Sequence, residues 1–112
     1  MKKVFVVAAA LLGLAIVIEV VSTVLLPRTD GFSRPGWTTV VVLGYAVSIG
    51  LLAVVVRSLP VSVTYAVWSG VGTALVAVIG LLFLGESLTR VQAASLALIV
   101  IGVVGVNVGA AS

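Results

Sequence analysis

Four long apolar runs make up most of the 112-residue sequence and leave only short segments between them. They cover about residues 4–26, 36–56, 61–84 and 91–109. The hydrocarbon core of a bilayer is about 30 Å thick, and roughly 20 apolar residues of α-helix cross it. The sequence therefore predicts an all-α membrane protein with one domain, residues 1–112, made of four transmembrane helices.

The composition excludes several functional classes. Only 8% of the residues are charged and 62% are hydrophobic, so too little charge is present to cover a soluble domain. Cysteine and histidine are absent, which excludes thiol nucleophiles, Cys or His metal sites and Ser–His catalysis. The net charge of +3 is scattered over the ends of the runs and forms no nucleic-acid patch. We expect neither an enzyme nor a bound metal or other cofactor.

Basic residues are divided equally between the two sides of the predicted membrane domain. If the four runs cross in turn, three basic residues lie on each side. They are Lys2, Lys3 and Arg57 on one side, and Arg28, Arg34 and Arg90 on the other. An excess of Lys and Arg on cytoplasmic loops normally sets the orientation of a membrane protein, and this chain has none. The tie is compatible with the noisy counts of a small protein and with dual topology, in which copies insert in both directions.

One carboxylate interrupts the first apolar run, at Glu19 in the stretch "VIEVVST" (17–23). An ionised side chain within a membrane helix is energetically unfavourable, so it normally faces a cavity and has a function. A carboxylate can hold a proton when neutral or a cation when charged, but not both. That exclusion is the simplest physical basis for exchanging protons against cations. The alternative is a structural glutamate that is hydrogen-bonded to a neighbouring helix.

The helical face around Glu19 is composed of small, apolar and hydroxyl side chains. Residues three and four positions apart lie on one side of a helix. The neighbours of Glu19 by this rule are Ala15, Ile16, Ser22 and Thr23, and Leu12 lies on the same face two turns away. The two hydroxyls can hydrogen-bond the carboxylate or a water molecule, or they can bond back to their own helix.

The third run supplies aromatic residues, since Tyr65 and Trp68 are three positions apart in "TYAVWSGVGTA" (64–74). An aromatic face attracts organic cations through cation–π interactions. Tyr45 in the second run is a further candidate. The alternative for membrane aromatics is an interfacial belt, and Trp37 at the start of the second run fits that alternative.

Small residues mark two further segments. Gly70 and Gly72 in the middle of the third run indicate either a flexible, kinked point or close helix packing. In the last run the small residues recur at helical spacing on roughly one side, which is typical of a helix association surface. They are Ser95, Gly102, Gly105 and Gly109.

These pieces, in this order and length, resemble the small multidrug resistance family of four-helix bacterial exporters. The stretches that carry the resemblance are "IEVVSTVLL", "DGFSR", "LPVSVTYAVWSGVGTA" and "SLALIVIGVVGVN", and together they cover nearly the whole chain. The resemblance implies an antiparallel homodimer in the bacterial inner membrane, with the subunits inserted in opposite directions. It further implies that Glu19 of both subunits forms a shared site for protons and for small organic cations.

The resemblance also implies roles for other residues. Tyr45, Tyr65 and Trp68 fall on the family's substrate-lining positions, and residues 70–72 fall on its helix-three kink. The fourth-helix dimer motif covers residues 95–102, with Ser95 where glycine is common. The interface predicted from this motif and the adjacent small residues consists of Ser95, Leu98, Ile99, Gly102 and Gly105. Pro27 stands where the family usually has a lysine, with Arg28 adjacent, and no role is transferred to either.

The resemblance covers two branches of the family. Guanidinium exporters typically carry a tryptophan where this chain has Ser22, and Tyr45 and "WSG" resemble the multidrug branch. In contrast, "SLPV", "LGES" and "SLALIV" are equally familiar from guanidinium exporters. We give more weight to residues that touch substrate, and we expect a proton-coupled antiporter that exports hydrophobic or quaternary ammonium cations.

Two alternatives remain. One is selective guanidinium export, for which Ser48 and Ser69 offer hydrogen bonds. The other is a non-transporting or heterodimeric membrane subunit, although paired subunits should carry opposite charge biases.

Overall fold

The computed structural model describes residues 2–111 and contains four α-helices. They are α1 (Lys2–Leu25), α2 (Pro35–Val55), α3 (Val61–Phe83) and α4 (Arg90–Ala111). Four segments are long and apolar enough to cross a membrane, with mean hydropathies between 2.1 and 2.9. The predicted all-α architecture with four membrane-spanning helices is confirmed. Met1, Ser112 and the side chain of Lys2, which enters the charge tie, lie outside the described residues.

The chain divides into two compact units, Met1–Pro60 and Val61–Ser112. In the first unit α1 packs against α2, and in the second α3 packs against α4. Each unit is therefore a helical hairpin. This arrangement satisfies the backbone hydrogen bonds within each helix, as the hydrocarbon interior of a membrane requires.

Small residues take part in the contact between α1 and α2, beside buried apolar side chains such as Leu12, Ile16 and Val41. The Ser48 hydroxyl donates a hydrogen bond of 2.8 Å to the carbonyl of Ala15, which is fully buried. Gly44 faces Ser22 so closely that an added Cβ would overlap the serine Oγ and lie 3.2 Å from its Cβ. Lipid provides no hydrophobic force between helices, so close backbone approach and interhelical hydrogen bonds hold such a pair together.

A tight reversal joins α1 to α2. A 3₁₀ turn, Leu26–Thr29, follows α1, and the next three residues, 30–32, all have positive φ angles. The buried Thr29 organises this turn, because its hydroxyl donates to the Leu26 carbonyl (2.8 Å) and accepts from the Phe32 amide (3.2 Å). Beyond the turn, the Arg28 guanidinium lies 5.2 Å from the centre of the Trp37 ring, in cation–π geometry.

The loop between α3 and α4 contains residues that end α3 and residues that cap the beginning of α4. Gly85 has a φ of 70°, and the amides on either side of it, of Leu84 and Glu86, both donate to the Gly80 carbonyl (3.1 Å each). Before α4, Thr89 and Gln92 form a capping box, since each side chain bonds the backbone amide of the other (3.1 and 2.9 Å). Local sequence therefore sets the adjoining ends of both helices.

Gly70 determines how closely α3 and α4 approach each other. An added Cβ at this position would overlap the Val103 side chain and lie 3.4 Å from Ile99 Cγ2. Gly70 and Gly72 are buried, and α3 continues as an α-helix through both of them. At Gly70 close packing therefore accounts for the glycine.

The Gly44 contact predicts a position-specific effect of added volume. We expect Gly44→Ala to destabilise the protein by about 1–3 kcal/mol, the usual result of overpacking a close contact. Gly50→Ala, in the same helix, is the matched control, because nothing lies within 4 Å of a Cβ built there. Denaturant unfolding in detergent micelles measures both. Equal stability of the two variants would show that Gly44 is not a packing contact.

Candidate functional site

Glu19 lies in α1, the helix that packs against α2, and its side chain is half-buried. The residues one turn before it on the same face, Ala15 and Ile16, are buried, and so is the adjacent Val20. The carboxylate is therefore surrounded mainly by apolar groups. Its polar partners have to come from a few side chains within hydrogen-bonding distance.

Thr23 and Tyr45 form a short hydrogen-bonded chain with Glu19. The Thr23 hydroxyl donates to Glu19 Oε1 at 2.9 Å, and its oxygen lies 2.7 Å from the Tyr45 hydroxyl oxygen. A threonine hydroxyl has a single hydrogen, which is engaged with Glu19. The Tyr45 hydroxyl is therefore the donor to Thr23. This hydrogen-bonded chain runs from α2 to α1 and brings together three residues that are predicted for the site from the sequence.

Two other predicted lining residues, Ser22 and Ser48, are packed into the α1–α2 contact. Ser22 donates to the Ile18 carbonyl of its own helix (2.8 Å) and faces Gly44, whereas Ser48 donates to Ala15 on the neighbouring helix. They are 4% and 1% exposed, respectively. Both serines hold helices together in this structure, and their hydroxyl hydrogens are engaged by backbone carbonyls.

The aromatic residues of α3 form a pair in the second unit. The ring centres of Tyr65 and Trp68 are 5.8 Å apart and the rings are tilted by 52°. This is a favourable arrangement for two aromatic rings. Tyr65 is 62% exposed, whereas Trp68 and the adjacent Ser69 are half-buried. The pair therefore presents one accessible ring and one sheltered ring.

Thr64 is a polar residue of this region that is not among the site residues predicted from the sequence. Its side chain is only 3% exposed, and its Oγ1 has no hydrogen-bond partner among the described residues. The Trp68 Nε1 atom, four positions later, is likewise buried without a partner there. Residues four apart share a helix face. The spacing of Thr64 and Trp68 within an apolar run was therefore the sequence pattern that could have identified Thr64 as a candidate site residue.

The predicted interface residues of α4 are mostly exposed. Ser95, Gly102 and Gly105 are exposed, Leu98 is 68% exposed, and nothing lies within 4 Å of a Cβ built at either glycine. Ile99 is less exposed, at 38%, and lies against Gly70 of α3 within the same unit. Among the described residues, α4 therefore has a free face with small residues and a second face that contacts α3.

The predicted site residues thus fall into two groups. Glu19, Thr23 and Tyr45 are joined in the first unit, and Tyr65 and Trp68 in the second. Within the described part of the chain, no group of three or more His, Cys, Asp or Glu side chains is placed to hold a metal. The half-buried Glu19 carboxylate is a group that can hold either a proton or a cation.

Comparison with known proteins identifies the class of protein that these features define. The family model described as Small Multidrug Resistance protein matches residues 7–99. The chain therefore belongs to the small multidrug resistance family, which confirms the resemblance.

Three relatives illustrate the range of the family. The chain is 47% identical over 94 residues to the multidrug resistance protein mmr of Mycolicibacterium paratuberculosis, covering 83% of this chain and 88% of the relative. It is 46% identical over 100 residues to the nicotine metabolites export pump subunit NepA of Paenarthrobacter nicotinovorans (89% and 86%). It is 44% identical over 97 residues to the guanidinium exporter of Escherichia coli K12 (87% and 92%).

Family membership establishes the general activity. The chain is a multi-pass bacterial membrane protein and a proton-coupled exporter of small cations, and it is a transporter rather than an enzyme. The identities to multidrug and guanidinium exporters lie close together, so they do not distinguish the two branches.

The Ser48 hydrogen bond predicts a loss of stability on truncation. Ser48→Ala removes the bond to Ala15 and should destabilise the protein by about 0.5–1.5 kcal/mol. Thr39→Ala in the same helix is the control, because the exposed Thr39 hydroxyl bonds only the Pro35 carbonyl of its own helix. Unfolding in detergent measures both variants. A Thr39→Ala effect as large as that of Ser48→Ala would contradict the role of an interhelical bond.

Proposed function

We propose that this protein is a proton-coupled antiporter that exports hydrophobic monovalent cations, such as quaternary ammonium compounds, with Glu19 as the shared site for proton and substrate. The observation that carries the proposal is the half-buried carboxylate, held by Thr23 and Tyr45 in otherwise apolar surroundings. A charged carboxylate in such a place attracts a cation strongly, because little water screens the two charges.

The surroundings of the carboxylate favour an organic cation over a strongly hydrated one. Ser22 and Ser48 are buried in the helix contact, so they offer a substrate little polar surface. In the second unit, the accessible Tyr65 ring and its partner Trp68 present aromatic faces. Aromatic faces bind quaternary ammonium groups through cation–π attraction.

Exchange follows from the two states of the carboxylate. Deprotonated Glu19 binds the cation on the cytoplasmic side, and the protein then exchanges the side to which its site is open. A proton from outside neutralises the carboxylate, and the cation leaves because its charge is no longer balanced. Since proton and cation compete for one group, the inward movement of protons drives the outward movement of substrate.

A second candidate is selective guanidinium export, for which Thr64 provides a specific observation. Guanidinium is planar and donates hydrogen bonds, so it needs acceptor atoms. The Thr64 Oγ1 atom is buried without a partner among the described residues and lies one helical turn from Trp68. The relationship to the guanidinium exporter of Escherichia coli supports the same reading.

We propose that the working unit is an antiparallel homodimer of this chain, each copy being one four-helix domain of residues 1–112. The support is the free face of α4, where Leu98 and the glycines Gly102 and Gly105 are exposed. In lipid, exposed glycines permit a second helix to approach closely. The equal division of basic residues removes the signal for a single orientation. In such a dimer two copies of Glu19 face one site, and Gly72 permits α3 to flex.

Transport current distinguishes the two substrate classes. With purified protein in liposomes and an imposed pH gradient, we expect current with phenyltrimethylammonium, and a weaker response to guanidinium at equal concentration. Solid-supported membrane electrophysiology records both, and competition between the cations tests whether they share a site. Current with guanidinium alone would exclude the multidrug proposal and favour the Thr64 reading.

The same assay tests the role of Glu19 directly. Glu19→Gln should abolish coupled current, since an amide neither binds a proton at the pH of the assay nor balances the charge of a cation. Glu86→Gln is the matched control, because Glu86 is exposed in the loop between α3 and α4 and should retain full current. Coupled transport by Glu19→Gln would refute the mechanism.

The α4 surface predicts a defect in assembly without a defect in folding. Gly102→Leu adds bulk to the free face and should weaken dimer association by about tenfold or more, if overpacking costs at least 1.4 kcal/mol. Gly13→Leu on α1, another exposed glycine with nothing within 4 Å, is the control. Light scattering in detergent measures the oligomeric state. If the wild-type chain alone is monomeric, it is instead one part of a heteromeric pump, as the name of NepA, a pump subunit, suggests for that relative.

A further inference from the structure

We propose that Thr23 is a positioning residue that links the proton on Glu19 to the hydroxyl of Tyr45, so that the charge state of the carboxylate sets the direction of a three-member hydrogen-bonded chain. The inference rests on the proposed role of Glu19 in binding protons. It goes further, because it assigns to Thr23 and Tyr45 a function in coupling that is separate from contact with substrate.

The geometry determines which group donates each hydrogen bond when Glu19 is charged. A carboxylate only accepts hydrogen bonds, so Thr23 must donate to it, and Tyr45 must then donate to Thr23. The distances of 2.9 and 2.7 Å are those of full hydrogen bonds. Both hydroxyl hydrogens therefore point towards the charge and stabilise it.

Protonation permits the opposite direction. Once a proton is on a Glu19 oxygen, that group can donate to Thr23 Oγ1, and the Thr23 hydroxyl can turn to donate to Tyr45. The new O–H on Glu19 is the only covalent bond that forms in this step, and the hydroxyl groups of Thr23 and Tyr45 rotate. The Tyr45 hydrogen is then released from the chain and is free to bond elsewhere. A change of one charge on α1 is thereby transmitted to a side chain on α2.

The helices fix this arrangement. Thr23 is four residues after Glu19 and therefore lies one turn along the same face of α1. Tyr45 comes from α2, which the Ser48–Ala15 bond and the Gly44–Ser22 contact hold close to α1. Tyr45 is the titratable side chain that α2 places in this network. The 3₁₀ turn also packs on α1, and its charged residue, Arg28, lies over the Trp37 ring.

The test measures the pH midpoint for protonation of Glu19 without using substrate. The sequence has only two glutamates, Glu19 and Glu86, so glutamate labelled with ¹³C at the side-chain carboxyl gives two NMR signals, and Glu19→Gln identifies the one of interest. Wild type, Thr23→Val, Thr23→Ser, Tyr45→Phe and the Thr23→Val/Tyr45→Phe double variant are titrated in bicelles. Valine matches threonine in shape but has no hydroxyl.

Removal of the hydroxyl should make the charged form harder to maintain. The midpoint in Thr23→Val should therefore move to higher pH by about one unit, the typical effect of losing one hydrogen bond to a charged group. Thr23→Ser should restore the wild-type midpoint. Tyr45→Phe should give a smaller shift in the same direction, and it should add nothing in the Thr23→Val background, because Tyr45 acts through Thr23.

Two results would overturn the proposal. One is an unchanged midpoint in Thr23→Val, and the other is a Tyr45→Phe shift that persists in the absence of the Thr23 hydroxyl. If Thr23→Val folds poorly, Tyr45→Phe is used by itself, and an unchanged midpoint in that variant then overturns the proposal. Failure of the transport proposal is separate, since it would show as coupled current in Glu19→Gln whatever the midpoints are.

Discussion

A carboxylate inside hydrocarbon requires hydrogen-bond donors from the protein, because bulk water is not there to supply them. This constraint explains the arrangement of the first helical hairpin. Thr23 supplies the donor to Glu19 and Tyr45 supplies the donor to Thr23. Because the second of these groups belongs to α2, the site exists only when α1 and α2 are packed together. Stability of the hairpin and chemistry of the carboxylate therefore depend on the same helix contact.

In that contact, groups with little apolar bulk lie beside the buried valine, leucine and isoleucine side chains. Ser48 bonds Ala15, and Gly44 accommodates Ser22. In water such a contact would be weak, because hydrophobic burial drives most helix packing there. In lipid the tails are as apolar as leucine, and close approach with interhelical hydrogen bonds is what holds helices together. Gly70 has the corresponding role between α3 and α4, where it makes room for Val103.

Much of the candidate site could be predicted from the sequence. Ser22 and Thr23 show where prediction from the sequence reaches its limit. Their spacing from Glu19 places both near its face, and both were candidates to line the site. In the structure Thr23 bonds Glu19, whereas Ser22 bonds Ile18 and faces Gly44. Adjacent helical residues differ by about 100° in direction, so a small rotation of α1 decides which hydroxyl meets the carboxylate.

The sequence by itself determined the class of protein, because apolar runs of this length cross a bilayer only as helices. It also singled out Glu19 as the candidate site, because a carboxylate inside such a run is energetically unfavourable. It also determined the ends of α3 and α4 around their loop, through Gly85 and the Thr89–Gln92 capping box. Only the tertiary structure decided that Tyr45 completes the Glu19 network. The physical reason is that these helices are apolar on nearly all sides, so the hydrophobic pattern does not specify their rotation or register. Those are set by where a glycine lets two backbones meet and where a hydroxyl finds its acceptor.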